Sequence, residues 1–179
     1  LHDQVLGALE LNQQPTALSE WLTHTLPPWR ESAQAKGLKW RAIIPSELPI
    51  VEVDPDRLAQ VVGNLLSNAI KYTKNNGKVR VKVGPCNLGA QVKVQDSGIG
   101  ISQKELPKIF TRFYQAGNSG RIKSGGTGVG LALVKAYVEG HGGRVYAEST
   151  VDQGSAFTVE LPVEPEEFQS PAMNLPTQT

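Results

Sequence analysis

The sequence predicts an α/β two-layer sandwich, a sheet with one face covered by helices. Three observations lead there. A strongly amphipathic helical segment opens at Asp54-Pro55, and valines at every second position follow it, at Val79, Val81 and Val83 and then at Val92 and Val94. Helices and strands succeed one another in an irregular order, with no internal repeat of solenoid length. At 179 residues the chain suits one domain with appendages and can bury a sizeable core. A formal net charge of +1 gives no reason to expect nucleic acid or an acidic membrane surface as partner. The one cysteine, Cys86, excludes an intrachain disulfide and leaves cysteine metal-cluster patterns unmet. No apolar run of about 18 residues and no signal peptide is present. The chain starts at Leu1 rather than methionine, which reads as a piece of something longer.

The elements follow in order. Leu1 to Leu11 reads as helix, with Val5, Leu6 and Leu9 on one face. Gln13-Gln14-Pro15 interrupts it, and Thr16 is placed to cap a second helix through Leu18, Trp21 and Leu22. Pro27-Pro28 stops or kinks that helix; Trp29 to Lys36 resumes it and Gly37 ends it. Leu38, Trp40, Ala42 and Ile44 alternate as a half-buried strand does, Pro45 to Pro49 is a loop, and Val51 to Val53 is extended. From Asp54-Pro55, the residues Leu58, Val61, Val62, Leu65, Leu66 and Ala69 make the buried face of a helix. Gln60, Asn64, Asn68 and Lys71 form a second, polar stripe roughly 130° away, at about 100° per residue.

Asn75-Asn76-Gly77 is a turn into the first valine strand, and Asp96 stands where the second ends. Ser102 and Glu105 form a capping box for a short helix towards Phe110. Gln115 to Ser124 is polar, contains glycine and lacks periodicity, the pattern of a mobile loop. Gly130 to Glu139 is a helix closed by Gly140. Arg144 to Glu148 and Phe157 to Leu161 are strands joined by a turn at Asp152-Gln153-Gly154. The acidic, proline-bearing sequence after Pro162 is expected to be disordered.

Several residues can carry chemistry. Asn64 and Asn68, four apart, project over one patch of helix, and amide oxygens suit a Mg²⁺ that already carries waters and phosphate oxygens. Lys71 adds an ammonium one turn on. Without the later motifs this stripe would be read as a solvated helix face. Asp96, ahead of Gly98 and Gly100, can accept from the exocyclic amine of adenine, although Asp-Ser-Gly is also a common turn. Gly125 to Gly130 opens a helix, where unpaired N–H groups and glycines make an anion site. It is not a Walker A loop, since Val129-Gly130-Leu131 stands where Gly-Lys-Ser/Thr is required, and its glycine spacing does not match a dinucleotide fingerprint. Phe110 and Phe113 read as packing anchors that leave Arg112 available for phosphate, with Arg121 and Lys123 in the loop beyond. His2, His24 and His141 read as structural or exposed, and no Ser/His/Asp or Cys/His arrangement is recognisable.

Together these residues resemble the nucleotide-binding boxes of sensor histidine kinases. Asn64-Leu-Leu-Ser-Asn68-Ala-Ile-Lys71-Tyr72-Thr73 is similar to their N box, Asp96-Ser-Gly-Ile-Gly100 to the G1 box, Phe110-Thr-Arg-Phe113 to the F box, and Gly126-Thr-Gly128-Val-Gly130-Leu131 to the G2 box. The resemblance implies the Bergerat fold, a mixed and mostly antiparallel sheet covered on one face by helices, with ATP under a mobile lid at Gln115 to Ser124. It implies that residues 15–163 are the catalytic ATP-binding domain, 1–14 the end of a dimerisation helix with its linker, and 164–179 a tail. It implies an ATP site of Asn64, Asn68, Lys71, Tyr72, Asp96, Gly98, Gly100, Ile101, Arg112, Gly126, Thr127, Gly128, Gly130 and Leu131. Catalytic roles fall to Asn64, Lys71 and Arg112, Mg²⁺ to Asn68, and the lid cations are Arg121 and Lys123. Implied partners are a phosphoacceptor domain of the same homodimeric kinase and a response-regulator receiver, in the cytoplasm, with or without a membrane anchor on the full-length protein.

Two features depart from that family. Asp152-Gln153-Gly154 replaces a frequent Gly-x-Gly, which aspartate tolerates because it accepts a left-handed conformation. The phosphoacceptor histidine box is absent: His2-Asp3 lacks the Thr or Asn expected three residues after the acid. Three other functions share the boxes, namely a clamp ATPase, an anti-sigma-type serine kinase and a non-catalytic nucleotide sensor. A clamp ATPase has glutamate where this chain has Asn64, and an amide cannot take a proton from water at neutral pH, so the sequence favours phosphoryl transfer to histidine.

Overall fold

The computed structural model describes residues 10–112, 114 and 130–163. Two layers pack face to face. One is a five-stranded sheet of β2 (Lys39–Ile43), β4 (Lys78–Pro85), β5 (Gly89–Asp96), β7 (Gly154–Pro162) and β6 (Arg144–Thr150), in the spatial order β2-β4-β5-β7-β6. β2 runs parallel to β4 and every other neighbour is antiparallel. The other layer holds α1 (Leu18–Thr25), α2 (Pro27–Ala35), α3 (Pro55–Tyr72) and α4 (Gly130–Gly140). A small antiparallel sheet of β1 (Gln14–Thr16) and β3 (Val51–Val53) joins the end of β7 through a bridge between Val51 and Val163. Among the described residues no helix is long and apolar enough to cross a membrane.

Alternation along the strands decides which face is covered. Val79, Val81 and Val83 of β4 face the helices with Val92 and Val94 of β5 and Phe157, Val159 and Leu161 of β7, and all are buried. From the opposite layer α3 presents Leu58, Val61, Val62, Leu65, Leu66, Ala69 and Ile70, each buried. Burying a valine or leucine fully stabilises the fold by about 1.5–3 kcal/mol, so this one helix face is a major part of the core. Trp29 of α2 reaches α3 at Gly63, where an added Cβ would lie 3.2 Å from the indole. Phe110 meets Phe157 edge-on, with centroids 6.1 Å apart.

Helix ends account for several buried polar groups. Asp54 caps α3: its Oδ1 accepts from the backbone N–H of Asp56 at 3.0 Å and of Arg57 at 3.2 Å, and its Oδ2 from that of Asn12 at 3.0 Å. The Asp54 N–H donates to His141 Nε2 at 2.9 Å, while His141 Nδ1 faces the Tyr137 carbonyl. Buried His141 therefore has a fixed tautomer and ties the end of α4 to the start of α3, a structural role. At the other end of α3, Lys36 Nζ donates to the carbonyls of Ile70 at 2.6 Å and Lys71 at 3.1 Å.

The structure corrects some expected elements. Glu10 and Leu11 are not helical, and Gln14–Thr16 is a strand rather than a break. Thr16 does not cap α1, because its hydroxyl donates to the Gln14 carbonyl and Ala17 occupies the cap position. β2 is an edge strand, and the expected alternation holds at Leu38, which is buried, and at Trp40 and Ile44, which are half-buried against the core, while Lys39, Arg41 and Ile43 are exposed; only Ala42 departs from it, by being exposed. The Ser102 hydroxyl does accept from the Glu105 N–H at 3.3 Å, yet the helix it was expected to cap is a single 3₁₀ turn, Leu106–Lys108. Pro107 lies inside that turn and cannot donate a backbone hydrogen bond. α4 includes Gly140, and the left-handed residue that ends it is Gly142, at φ +78°. Most of the expected N-terminal helix and all of the expected tail lie outside the described residues.

Burial alone would raise the pKa of Asp54, but the N–H donors of Asn12, Arg57 and Asp56 and the charge of Arg57 outweigh it and hold the carboxyl below its ordinary value. Its stabilisation is therefore present above the ordinary aspartate range and lost as pH falls through the lowered value. Replacing Asp54 with alanine is expected to cost about 2 kcal/mol at pH 7, and the gap from wild type should narrow below about pH 4. Urea titrations at pH 7 and pH 3.5 check both.

Candidate functional site

The polar stripe of α3 lies beside its buried face. Gln60 is exposed, while Asn64, Asn68 and Lys71 are each half-buried in the helix layer. Asn64 meets the start of α4: a Cβ added at Gly130 would sit 3.1 Å from Asn64 Oδ1. The first turn of α4, where backbone N–H groups lack intrahelical partners, thus opens directly beside the Asn64 amide. Arg57 holds the two helices together further along, its guanidinium 5.3 Å from the centroid of Tyr137. Lys71 Nζ stands 5.5 Å from the centroid of Tyr72.

Asp96 is the last residue of β5 and shares the covered face with Val79 and Ser155, its register partners. Its Oδ1 accepts from the backbone N–H of Gly98 at 2.8 Å and of Ser155 at 3.3 Å. Burial pushes its pKa from the ordinary 3.8 up to about 6, and the two N–H donors pull it only part of the way back. The carboxylate is thus oriented by the backbone but short of solvation, as an acceptor waiting for a further donor would be.

The loop after Asp96 is clamped from two sides. On the α3 side, the Ile99 N–H donates to the Tyr72 carbonyl at 3.2 Å, and a Cβ at Gly98 would come within 2.4 Å of that oxygen. On the other side, the Ile101 N–H donates to Ser149 Oγ at 2.7 Å and the Asp152 N–H to the Ile99 carbonyl at 2.7 Å. Gly100 has φ +72° and would bring a Cβ to 2.1 Å from the Thr150 carbonyl. Only glycine meets both demands at position 100. Asp152 has φ +65°, so aspartate does take the left-handed conformation expected of it.

The structure therefore brings Asn64 and Gly130 together, and separately joins Tyr72, Asp96, Gly98, Gly100 and Ile101 around one loop. Leu131 and Ile101 pack half-buried against the core, and Arg112 is half-buried beyond the 3₁₀ turn. Phe113, Gly126, Thr127, Gly128, the lid at Gln115 to Ser124 and its Arg121 and Lys123 lie outside the described residues. Among the described residues no cluster of three or more His, Cys, Asp or Glu could hold a metal ion, and an amide oxygen is a hard, neutral ligand that suits Mg²⁺ alongside substrate oxygens. The amides of Asn64 and Asn68 fit such a role for Mg²⁺.

Sequence reasoning missed Ser149 and Ser155. Both are buried, their hydroxyls lie 2.8 Å apart, and Ser149 Oγ also donates to the Gly154 carbonyl at 2.9 Å. No spacing signal marks them, since a serine in a strand near a turn is commonplace. Beside the loop lies a cleft of about 320 Å³, where Tyr72 and Gly98 meet Lys74, Asn75, Asn76 and Ser97.

Residues 53–165 match the family described as histidine kinase-, DNA gyrase B-, and HSP90-like ATPase. The chain is 40% identical over 176 residues to the circadian input-output histidine kinase CikA of Synechococcus elongatus, covering 95% of this chain and 23% of that protein. It is 39% identical over 137 residues to the sensor protein kinase WalK of Staphylococcus haemolyticus, covering 75% of this chain and 22% of that one. Full-length ShkA, solved in complex with AMPPNP, superposes with a TM-score of 0.75 at 29% identity, over 90% of this chain and 34% of that one. The catalytic domain of the histidine kinase ThkA gives 0.73 at 27% identity, over 88% of this chain and 100% of that one. The chain thus spans less than a quarter of these two curated relatives and the whole of a solved catalytic domain. With more than half of its residues matched and this mixed, mostly antiparallel sheet beneath its helices, the chain belongs to the histidine kinase-, DNA gyrase B- and HSP90-like ATPase family.

Proposed function

We propose that residues 15–163 bind Mg-ATP between α3, the start of α4 and the loop after β5, and direct its γ-phosphoryl group to a histidine. That histidine belongs to a phosphoacceptor domain elsewhere in a longer, homodimeric, cytoplasmic-facing kinase, and a response-regulator receiver takes the phosphoryl group from it. Residues 1–14 are the approach to that domain.

The observation that carries this reading is Asn64, an amide seated against the first residue of α4. Water attacking the γ-phosphorus needs a base to take its proton, and an amide cannot serve at neutral pH. An imidazole nitrogen attacks through its own lone pair and needs no such base on this chain. Positioning and charge balance then suffice, as in other phosphoryl transfers. Asp96 accepts from the adenine amine, and Tyr72, Ile101 and Leu131 wall the base. The N–H groups of the Gly126 to Gly130 segment receive phosphate, with Lys71 and Arg112 offsetting its charge. Asn68 with Asn64 would hold Mg²⁺, which when bound neutralises and orients the phosphate oxygens.

Replacing Asp96 with alanine should weaken ATP-analogue binding about 10- to 100-fold by calorimetry, the worth of one charge-assisted hydrogen bond. Unchanged affinity would remove the adenine assignment. In the wild type the same carboxylate should make affinity for adenosine fall as pH drops through about 6. Asp96→Asn should abolish that dependence. For the nucleotide-free chain the sign reverses. A raised aspartate pKa means that stability is full below the ordinary value and is lost as pH rises through about 6. Between pH 4 and pH 7.5 the stability of Asp96→Asn should therefore improve relative to wild type by up to about 3 kcal/mol, read from urea midpoints.

With a phosphoacceptor domain supplied in trans, Asn64→Ala should reduce phosphohistidine formation at least 100-fold, while the 179-residue chain alone turns ATP over only slowly. Rapid steady-state hydrolysis that survives Asn64→Ala would overturn the kinase reading.

A further inference from the structure

The sheet face turned away from the helices carries a charge pattern that the nucleotide site does not use. Register places Lys39 of β2 opposite Lys78 of β4, Arg41 opposite Arg80, and Lys82 opposite Lys93 of β5. These are three rows of directly facing like charges on one surface. All are exposed except Lys93, which is half-buried, and among the described residues none of the six has an ion-pair partner. Facing like charges destabilise a sheet, and six cations on one face of a chain of net charge +1 are a strong local asymmetry. The acids on the same face, Glu148 and Glu160, lie at the opposite edge, on β6 and β7. Glu160 is already engaged there by Arg144 at 3.8 Å and by the Tyr146 hydroxyl at 3.1 Å.

We propose that this basic face docks an acidic surface of another protein. Geometry favours a protein over other anions. The rows are about 6.6 Å apart along the strands and neighbouring strands about 4.8 Å apart, which matches carboxylates spaced i, i+4 on a helix. β2, β4 and β5 offer no aromatic side chain on this face for stacking bases, since Trp40 shares the covered side with Val79. One exposed apolar residue, Ile43 in the row of Lys82, adds a contact suited to a protein partner but too little to anchor a membrane. The inference does not depend on the nucleotide reading.

The test uses the 179-residue chain and a helical alanine peptide with glutamate at every fourth position, followed by fluorescence anisotropy. Binding is expected in low salt and should weaken at least tenfold in 0.5 M NaCl. Arg80→Gln/Lys82→Gln/Lys93→Gln should weaken it at least tenfold and raise the Tm. Lys104→Gln/Lys108→Gln/Lys135→Gln, with three cations removed elsewhere, should change it less than twofold. No binding, or equal loss in both triple variants, overturns the proposal. So does tighter binding to phosphatidylserine vesicles or to a 20-base-pair duplex than to the peptide. Glu164→Gln/Glu166→Gln/Glu167→Gln should bind as wild type does; a tenfold gain would mean that the chain's own acids occupy the face, and would overturn a separate partner.

Discussion

The site depends on how closely the turn between β6 and β7 crosses the end of β5. At Gly154, with φ +122°, a Cβ would lie 1.9 Å from the Asp96 carbonyl, so the crossing exists only because no side chain stands there. The contact lets the next residue, Ser155, turn its N–H onto Asp96 Oδ1. Beyond it, Ser149 Oγ reaches both the Gly154 carbonyl and the Ile101 N–H. One steric permission thus orients the carboxylate and anchors the far end of the loop that comes after it. The near end rests on α3 through Tyr72. Helix layer and sheet layer therefore meet at this loop, through the Tyr72 carbonyl on one side and the Ser149 hydroxyl on the other.

That arrangement has a cost, borne at Asp96. An ionised carboxylate is kept where burial raises its pKa to about 6, with only two N–H donors to compensate. Asp54, also buried, shows the contrast. Three backbone donors and a nearby guanidinium bring its pKa below the ordinary value, and it stabilises the fold. The two aspartates differ in how completely the protein satisfies them: one is a finished cap, the other an acceptor with capacity left. Incomplete satisfaction at a rigid position suits a group whose partner comes from outside the fold.

Much of this was legible in the sequence, for reasons that differ by element. The buried face of α3 and the valine strands were legible because a repeat of 3.6 or 2 records which side faces the core. The positive φ of Asp152 and the termination of α2 at Gly37 followed from what those residues tolerate. β1 was not legible: three residues around a proline carry no period, and they form a strand only because Val51 to Val53 lie alongside them. The alternation of β2 was legible too, at Leu38, Trp40 and Ile44, and missed only Ala42, which an edge strand can leave in solvent. In the candidate site, Asn64, Asp96 and the glycines stand out as candidates because their type suggests a role. Ser149 and Ser155 do not, because their importance lies in where β6 and β7 cross, a contact between segments that one-dimensional spacing does not encode.

The same limit hides the charge pattern of the open sheet face. Along the chain, Lys39 and Arg41 are separated from Lys78, Arg80 and Lys82 by all of α3, and the net charge of +1 suggests no basic surface at all. Only the parallel pairing of β2 with β4 brings these cations into facing rows. Stability cannot be the reason, because like charges opposite one another in a ladder oppose folding, and the exposed positions would accept glutamine or threonine. On the covered face Val81 meets Val94, Val83 meets Val92, Val92 meets Val159, and Asp96 accepts from the Ser155 N–H. A sheet whose inner face is matched so closely, and whose outer face repeats one sign of charge across three strands, is balanced on one side and unbalanced on the other. The balanced side accounts for the fold; the unbalanced side suits an acidic partner from outside it.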